Sequence, residues 1–421
     1  MTAPPPVTTR AELIYLLSVA AELEHSLACQ YLFTAFSLKQ AGDPGVSRQQ
    51  VGLVRSWAAT IEGIALQEMQ HLALACNLLT AVGGAPNLRR PNFPQLASAY
   101  RLGMPSSLAA FGVETLRRYA CWERPEEPGF WDQLCAGLAD PALAAPAPAD
   151  PLDADERRYR TIAELYHLID SAFDAIPAAR LFVGPPAAQV GPELIPFRPP
   201  LIRVSDAQAA HAAIRLIVVE GEGTPGHTEH SHFARFYRIL TELRQALQED
   251  PAFEPAWPVL DNPLFDAHTD SYTPGANRVT DPLTRRVGML FTACYDLMLQ
   301  LLMRLFGHGG EDTAQLRTLA NACMSLMTGA IRPLGVILTR MPAGAAFPGR
   351  TAGPSFETYL DTQPSPHRSS AWAVARERFG QIADDCEVVA RLPGAPGGLR
   401  EVALLLDFWR GALGRAAGRA P

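Results

Sequence analysis

Apolar residues along most of this chain recur every three or four positions, which is the spacing of one buried face of an α-helix. Runs in which apolar and polar residues alternate, as they do in half-buried strands, are nearly absent. The pattern therefore predicts an all-α protein. In the N-terminal part, the predicted helices are residues 10–40, 49–82, 105–120, 154–175, 206–220 and 228–248. In the C-terminal part, they are residues 283–306, 313–340, 370–391 and 399–412.

Glycine and proline divide these helices into two groups. Residues 177–200 include seven prolines, which argue against a helix there. The glycines within residues 221–226 interrupt the helical pattern again, and residues 250–277 are irregular. A chain of 421 residues is also longer than one small core requires. We therefore expect two packed units, a helical bundle with loop insertions at residues 1–250 and a C-terminal helical unit at residues 251–421.

Composition and charge limit the classes of partner. The net charge is -7 and no basic stripe interrupts it, which disfavours binding to nucleic acid or to an anionic membrane. The most apolar stretch, residues 287–306, contains Asp296 and Arg304, so it predicts a buried core helix and no membrane span. The cysteines are scattered without a Cys-x-x-Cys pair, and the first residues lack the apolar core of a signal peptide. We expect reduced thiols and a cytoplasmic protein. The sequence leaves open whether the protein forms a homodimer.

Charged residues interrupt the apolar faces of the first two predicted helices. Glu24 shares its face with Leu17 and Leu27, so its carboxylate is expected to point into the core. Glu68 and His71 are three positions apart and project from one side of the second helix, which also faces the core. A buried carboxylate is costly unless a partner compensates it. A metal cation is one such partner, and an ion-pairing arginine is the structural alternative.

Later helices offer further carboxylates and imidazoles. Glu164 precedes His167 by three positions, and Glu220 ends an apolar run just before the glycine-rich break. After the break, Glu229 precedes His232 by three positions, and His232 leads an apolar helix face. Either Glu220 or Glu229 could act with His232 on one metal ion, and the sequence leaves this choice open.

Together these residues match the ligand inventory of a two-metal carboxylate centre. In helical bundles of this kind, glutamates and Glu-x-x-His pairs hold two iron or manganese ions. Oxygen and imidazole donors suit iron, with manganese as the alternative. Tyr31 lies two turns beyond Glu24 on the same face and is the candidate catalytic phenol, with core packing as its alternative role.

Several stretches of the sequence carry a family resemblance. They are AAELEHSLACQYLFTAFSL, IALQEMQHLALACNLLTAVGGAPNL, TIAELYHLI, VEGEG, SHFARFYRI, PLGVILTRMPAG and AGPSFETY. In these stretches the chain resembles the ferritin-like domain family of iminophenylpyruvate dimer synthases, from violacein- and rebeccamycin-type pathways. The resemblance implies a ferritin-like bundle that carries iron and performs oxidative chemistry in specialised metabolism. The ligands it implies are Glu24, Glu68, His71, Glu164, Glu220 and His232.

Two functional hypotheses follow. The first is a non-haem di-iron oxidoreductase or oxygenase that uses dioxygen or peroxide on a small amino-acid-derived molecule, with oxidative coupling of an imine as the specific reaction. The second is an iron-binding, ferroxidase or peroxide-detoxifying protein without an organic substrate. The large C-terminal unit and the proline-rich loops favour the first, because iron storage needs only a bundle.

Overall fold

The computed structural model describes residues 6–96, 100, 104–125, 131–138, 159, 161–221, 229–266, 273, 275–307, 310–358 and 363–417. Within these ranges the protein is built of α-helices, so the predicted all-α class is confirmed. Regular strands in the same ranges are limited to one parallel pair of two residues each, β1 (Pro263–Leu264) and β2 (Asn277–Arg278).

The described N-terminal part contains helices of very different length. They are α1 (Arg10–Ser37), α2 (Val51–Ala81), α3 (Val113–Trp122), α4 (Trp131–Cys135), α5 (Ile162–Ala175), α6 (Ala178–Leu181), α7 (Ala207–Gly221) and α8 (His232–Glu249). Helix α3 begins later than predicted because Ser106 pairs with Gln95 in a β-bridge. Helix α5 begins at Ile162 because the Thr161 side chain caps it, accepting a hydrogen bond from the backbone N–H of Glu164. The predicted start of that helix, residues 154–158, lies outside the described residues.

The C-terminal part adds a second group of helices. They are α9 (Pro282–Gly307), α10 (Thr313–Leu326), α11 (Arg332–Leu338), α12 (Arg368–Ala390) and α13 (Leu399–Ala417). A π-helical turn, Met327–Ile331, joins α10 to α11 just before Pro333. Proline lacks an N–H and its ring collides with the carbonyl four residues earlier, so a wider turn accommodates it. Buried apolar side chains of both parts form one continuous core, and the predicted division into two domains stays a prediction.

Two long helices and four shorter ones position the candidate site. Helices α1 and α2 pack along each other, while α5 packs on α7 and α3 packs on α8. Glu123, which follows the last residue of α3, and Ile162, the first residue of α5, line one pocket together with Gly221 at the end of α7. The shorter helices thus begin and end at the level where α1 and α2 carry their buried carboxylates.

Two helical stretches, Pro282–Gly307 and Thr313–Leu338, are long and apolar enough to cross a membrane by length and composition. In the folded chain, 67% and 44% of their most apolar windows are buried inside the protein. The polar residues of the first stretch have partners within the protein, since Gln300 donates to Asp296 and Arg304 pairs with Glu311. This packing is typical of a core helix.

The expectation that all cysteines are reduced thiols is contradicted at one pair. Cys121 on α3 and Cys135 at the end of α4 form a disulfide, with their Cα atoms 5.6 Å apart. Arg117 on α3 donates to the carbonyl groups of Leu134 and Ala136, which brings α4 against α3. The sequence spacing of the two cysteines does not reveal this packing. The remaining cysteines, Cys29, Cys76, Cys294, Cys323 and Cys386, are free and buried.

Candidate metal centre

The two long helices bring a first group of ligand atoms together. Glu24 lies on α1, Glu68 and His71 lie on α2, and all three side chains are buried. Nδ1 of His71 lies 3.6 Å from Oε2 of Glu24 and 3.3 Å from Oε2 of Glu68. One ligand atom from each residue lies within 4.8 Å of the others. These three side chains form the first candidate ion position.

A second group of ligand atoms lies beside the first and shares Glu68 with it. Nδ1 of His232 lies 2.7 Å from Oε1 of Glu68 and 3.7 Å from Oε2 of Glu123. All three residues are buried and their ligand atoms lie within 4.8 Å of one another. The rings of His71 and His232 are stacked, with centroids 5.4 Å apart. One oxygen of Glu68 therefore faces each histidine, as a bridging carboxylate between two metal ions would.

The second group contains buried polar atoms without hydrogen-bond partners. Oε1 of Glu68 and both ring nitrogens of His232 are in this state. The 2.7 Å approach between Glu68 and His232 lacks the geometry of a hydrogen bond. Such orphaned atoms are rare in proteins and cost about 1–3 kcal/mol each. A cation would give Oε1 and Nδ1 the partner that they lack, so the residues present fit a pair of metal ions.

Burial and mutual charge shift the pKa values of these groups. Burial, together with the charge of Glu68, raises the pKa of Glu24 to about 8. Burial alone would also raise the pKa of Glu68, but His232 and His71 hold it well below its usual value. Burial would lower the pKa of His71, but Glu220, Glu24 and Glu68 raise it well above its usual value. Without a cation the centre retains protons, and metal binding must release them.

A tyrosine hydroxyl donates to one carboxylate of each group. The Tyr166 hydroxyl on α5 donates to Oε1 of Glu24 over 2.6 Å, and the Tyr31 hydroxyl on α1 donates to Oε1 of Glu123. In both cases the other oxygen faces a histidine of the centre. Tyr31 also packs edge-on against Tyr119, with ring centroids 4.7 Å apart. The predicted phenol is thus both a packing residue and a hydrogen-bond donor to the centre, and Tyr166 is its counterpart.

Glu220 lies beside the centre, on the far side of His71. Nε2 of His71 donates to Oε2 of Glu220 over 3.0 Å, while Nδ1 faces Glu24 and Glu68. In metal sites, a carboxylate commonly holds the second nitrogen of a ligating histidine and fixes the orientation of its ring. Glu220 is placed for that role.

Two predicted ligands lie outside both groups. Glu164 is half-buried in the first turn of α5, where its backbone N–H binds the capping Thr161. Glu229 is exposed in the turn that precedes α8. The structure therefore brings Glu24, Glu68, His71 and His232 together, with Glu220 adjacent, and leaves Glu164 and Glu229 apart from them.

Sequence reasoning missed Glu123. It immediately follows α3, beyond the predicted helix end at residue 120. Its spacing from Tyr119 and Leu116, four and seven positions earlier, places it on a buried helix face, and both residues are buried. This spacing indicates that Glu123 faces the core. The predicted helix ended at residue 120, so Glu123 fell outside the pattern.

The fold and the site define a helical bundle whose buried glutamates and histidines form two adjoining groups that could hold metal ions. A family model described as Ferritin-like matches residues 17–241, more than half of the chain. The chain belongs to the ferritin-like family, and the resemblance inferred from its sequence is confirmed at that level.

Two curated relatives extend the comparison. The chain is 28% identical over 427 residues to dichlorochromopyrrolate synthase of Lentzea aerocolonigenes, across 92% of its own length. It is 29% identical over 448 residues to 2-imino-3-(indol-3-yl)propanoate dimerase of Chromobacterium violaceum, across 97% of its length. In each case the match covers only 40% of the relative. The chain thus spans well under half the length of these relatives.

A solved structure supports the fold. A ferritin-like protein from Caulobacter vibrioides superimposes with a TM-score of 0.52 at 16% identity. The match covers 83% of this chain and 100% of that one.

Proposed function

We propose that this protein is a non-haem di-iron oxidoreductase that acts on a small amino-acid-derived molecule in specialised metabolism. The observation that carries the proposal is the pair of buried ligand groups that share Glu68. The names of the two relatives, a synthase and a dimerase of a 2-imino acid, favour the oxidative coupling of an imine as the specific reaction.

The chain offers each ion a distinct set of ligands. Glu24 and His71 would hold the first ion, Glu123 and His232 would hold the second, and Glu68 would bridge them. Two ferrous ions in these positions would supply the redox chemistry needed to reduce dioxygen or peroxide. Manganese is the alternative metal for the same donors.

The residues around the ligands keep the centre ordered and dry. Tyr166 and Tyr31 each hold one carboxylate oxygen, which leaves the other free for a cation. Glu220 holds the ring of His71. Apolar residues from three helices line the pocket and limit the access of water, namely Leu27, Ile162, Ala163, Ile217 and Val218.

Oxidative coupling has a simple balance. Two imine molecules form one new bond between them and lose two hydrogen atoms, so an oxidant must accept two electrons and two protons. Dioxygen or peroxide is the proposed acceptor.

The test uses the full chain loaded with Fe(II) without oxygen. We expect about two iron ions per chain. On addition of dioxygen and 2-imino-3-(indol-3-yl)propanoate, generated from tryptophan by an amino-acid oxidase without catalase so that both proposed oxidants are present, mass spectrometry should show a product of twice the imine mass minus two hydrogens. Glu68→Ala is the matched inactive control. Iron binding without consumption of the imine beyond this control would contradict the enzymatic proposal, and failure to bind iron would contradict the metal centre itself.

One observation favours the second hypothesis, an iron-oxidising protein without an organic substrate. The cavity between the described ligand residues is only about 10 Å³, roughly the room for one water molecule. Such a protein would oxidise Fe(II) in repeated cycles at a rate that the imine does not change. The proposed enzyme would instead consume oxygen in proportion to the imine.

A further inference from the structure

The disulfide between Cys121 and Cys135 lies in the same stretch of chain as a ligand of the second ion position. Cys121 is in the last turn of α3, two residues before Glu123, so Glu123 lies between the two bridged cysteines in the chain. The bond ties the end of α3 to α4 and thereby restricts the conformations open to this stretch. The order of the chain at Glu123 therefore depends in part on the disulfide.

Helix α4 needs contacts with the rest of the protein to stay in place. It has five residues, and a helix of this length is not stable by itself in water. Besides the disulfide, Arg117 on α3 donates hydrogen bonds to the carbonyl groups of Leu134 and Ala136, and Leu134 packs against the core. Opening the disulfide would leave α4 on these weaker contacts, and the end of α3 would lose its covalent tie.

The bridged pair is open to thiol–disulfide exchange from one side. Cys121 is fully buried, whereas Cys135 is half-buried, and the five free cysteines are all buried. The thiolate of a dithiol reductant would therefore attack Sγ of Cys135, and Sγ of Cys121 would leave as a thiolate and take up a proton. The second thiol of the reductant then displaces the first. One S–S bond breaks in the protein, one forms in the reductant, and two electrons and two protons pass to the cysteines.

We propose that this disulfide is a redox switch that controls how firmly the second metal ion is retained. The inference rests on the proposed function and adds regulation of the same site. With the bond closed, the end of α3 is held so that Oε2 of Glu123 lies 3.7 Å from Nδ1 of His232. When a dithiol opens the bond, the last turn of α3 frays more readily and Glu123 holds the ion less firmly. Glu24 and His71, in the interiors of α1 and α2, keep the first ion in both states.

The first experiment needs no metal. The metal-free full chain is oxidised in air, and a portion is then reduced with a water-soluble phosphine. Alkylation of the denatured protein before reduction should label five of the seven cysteines. Amide hydrogen exchange, followed by mass spectrometry, should be about tenfold faster or more at residues 119–123 after reduction, because the bond no longer restricts the end of α3. Exchange within α2 should be the same in both states.

The second experiment follows iron. The oxidised and the reduced chain are each loaded with Fe(II) without oxygen, desalted, and mixed with an excess of a coloured chelator. Reduction should make one of the two ions leave about tenfold faster, an effect typical of the loss of a group that orients a metal ligand. Glu123→Ala is the control, because it removes a ligand of the second position only. The ion that this variant keeps should leave at the same rate in both redox states.

Two cysteine variants form a matched pair. Cys135→Ala cannot form the bond, so in both experiments it should behave as the reduced wild-type protein, with or without the phosphine. Cys386→Ala removes a free cysteine on α12 and should respond to the phosphine as the wild-type protein does. Circular dichroism checks the fold of each variant.

The outcomes separate this inference from the proposed function. Iron loss at the same rate in both redox states would overturn the switch, and so would unchanged hydrogen exchange at residues 119–123. Alkylation of all seven cysteines before reduction, or a response to the phosphine that persists in Cys135→Ala, would overturn it as well. If the wild-type protein binds no iron in either state, the proposed function fails and the control of an ion fails with it. Hydrogen exchange then still decides whether the disulfide orders the end of α3.

Discussion

The two candidate ion positions share Glu68 but are built in different ways. The other ligands of the first, Glu24 and His71, lie in the interior of two uninterrupted helices. Those of the second come from helix ends, since Glu123 follows the last residue of α3 and His232 is the first residue of α8. The interior of a helix fixes side-chain directions by its hydrogen bonds, whereas helix ends fray. The first position should be the more rigid and the tighter of the two.

The local contacts show how the second position is nevertheless held. The backbone N–H of Glu123 still donates to the carbonyl of Tyr119, and the Tyr31 hydroxyl donates to its carboxylate. Ser231 caps α8 by accepting a hydrogen bond from the N–H of Ala234. A helix cap and one tyrosine hydroxyl thus stabilise the second position. Of its three residues, only Glu68 lies in the interior of a helix.

The largest effect is expected from Glu68→Ala, because Glu68 belongs to both groups. The iron content after anaerobic loading should fall from about two ions per chain to nearly none. Circular dichroism should remain largely helical, since Ala has the highest helix propensity. Plasma mass spectrometry on the desalted protein measures the iron. Retention of a full complement of iron would show that the ligands lie elsewhere.

The next variants separate the two positions. Glu24→Ala and Glu123→Ala should each reduce the iron content to about one ion per chain, since each removes a ligand of one position only. With Glu24→Ala the remaining ion sits at the helix ends, so it should be lost faster to a competing chelator than the ion that remains with Glu123→Ala. Equal rates of loss would contradict the difference in rigidity.

The contrast between the positions also explains what the sequence could predict. The periodicity of α1 and α2 was enough to predict that Glu24, Glu68 and His71 point into the core, since each lies among buried apolar neighbours on both sides. Glu123 has such neighbours only before it, because the helix ends there. The spacing of apolar residues therefore predicts buried side chains well in the interior of a helix and less well at its ends.

Glu164 shows a second difference between the predicted ligands and the two groups that the structure brings together. In the sequence Thr161-Ile162-Ala163-Glu164, the glutamate stands three residues after a threonine, a spacing typical of a helix N-terminus. The structure places Glu164 in that first turn, with Thr161 as the cap. A carboxylate there is favoured by the helix dipole, so its presence needs no metal. The sequence around Glu164 and His167 therefore fits a capped helix start as well as a ligand pair.

Smaller effects are expected from the two tyrosines. Tyr166→Phe should weaken the first position and Tyr31→Phe the second, because each removes the hydroxyl that holds a ligand carboxylate. Loss of such an outer hydrogen bond typically costs about tenfold in metal affinity or more. Competition with a calibrated chelator, performed on each variant, measures the affinity of both positions. An effect of either substitution on the opposite position alone would break the assignment.

The smallest effect is expected from Glu164→Ala and Glu229→Ala. Both residues are glutamates of Glu-x-x-His pairs, yet neither belongs to the two ligand groups, so the iron content and chelator competition should match the wild-type protein. Glu164→Ala should lower the free energy of unfolding by about 0.5 kcal/mol, because it removes a carboxylate from the first turn of α5. Glu229 lies before the Ser231 cap, so it and His232 do not share a helix face. If Glu229→Ala instead lowered the iron content to about one ion, metal binding would have to extend α8 backward by one turn, and the second position would be completed only when the metal is bound.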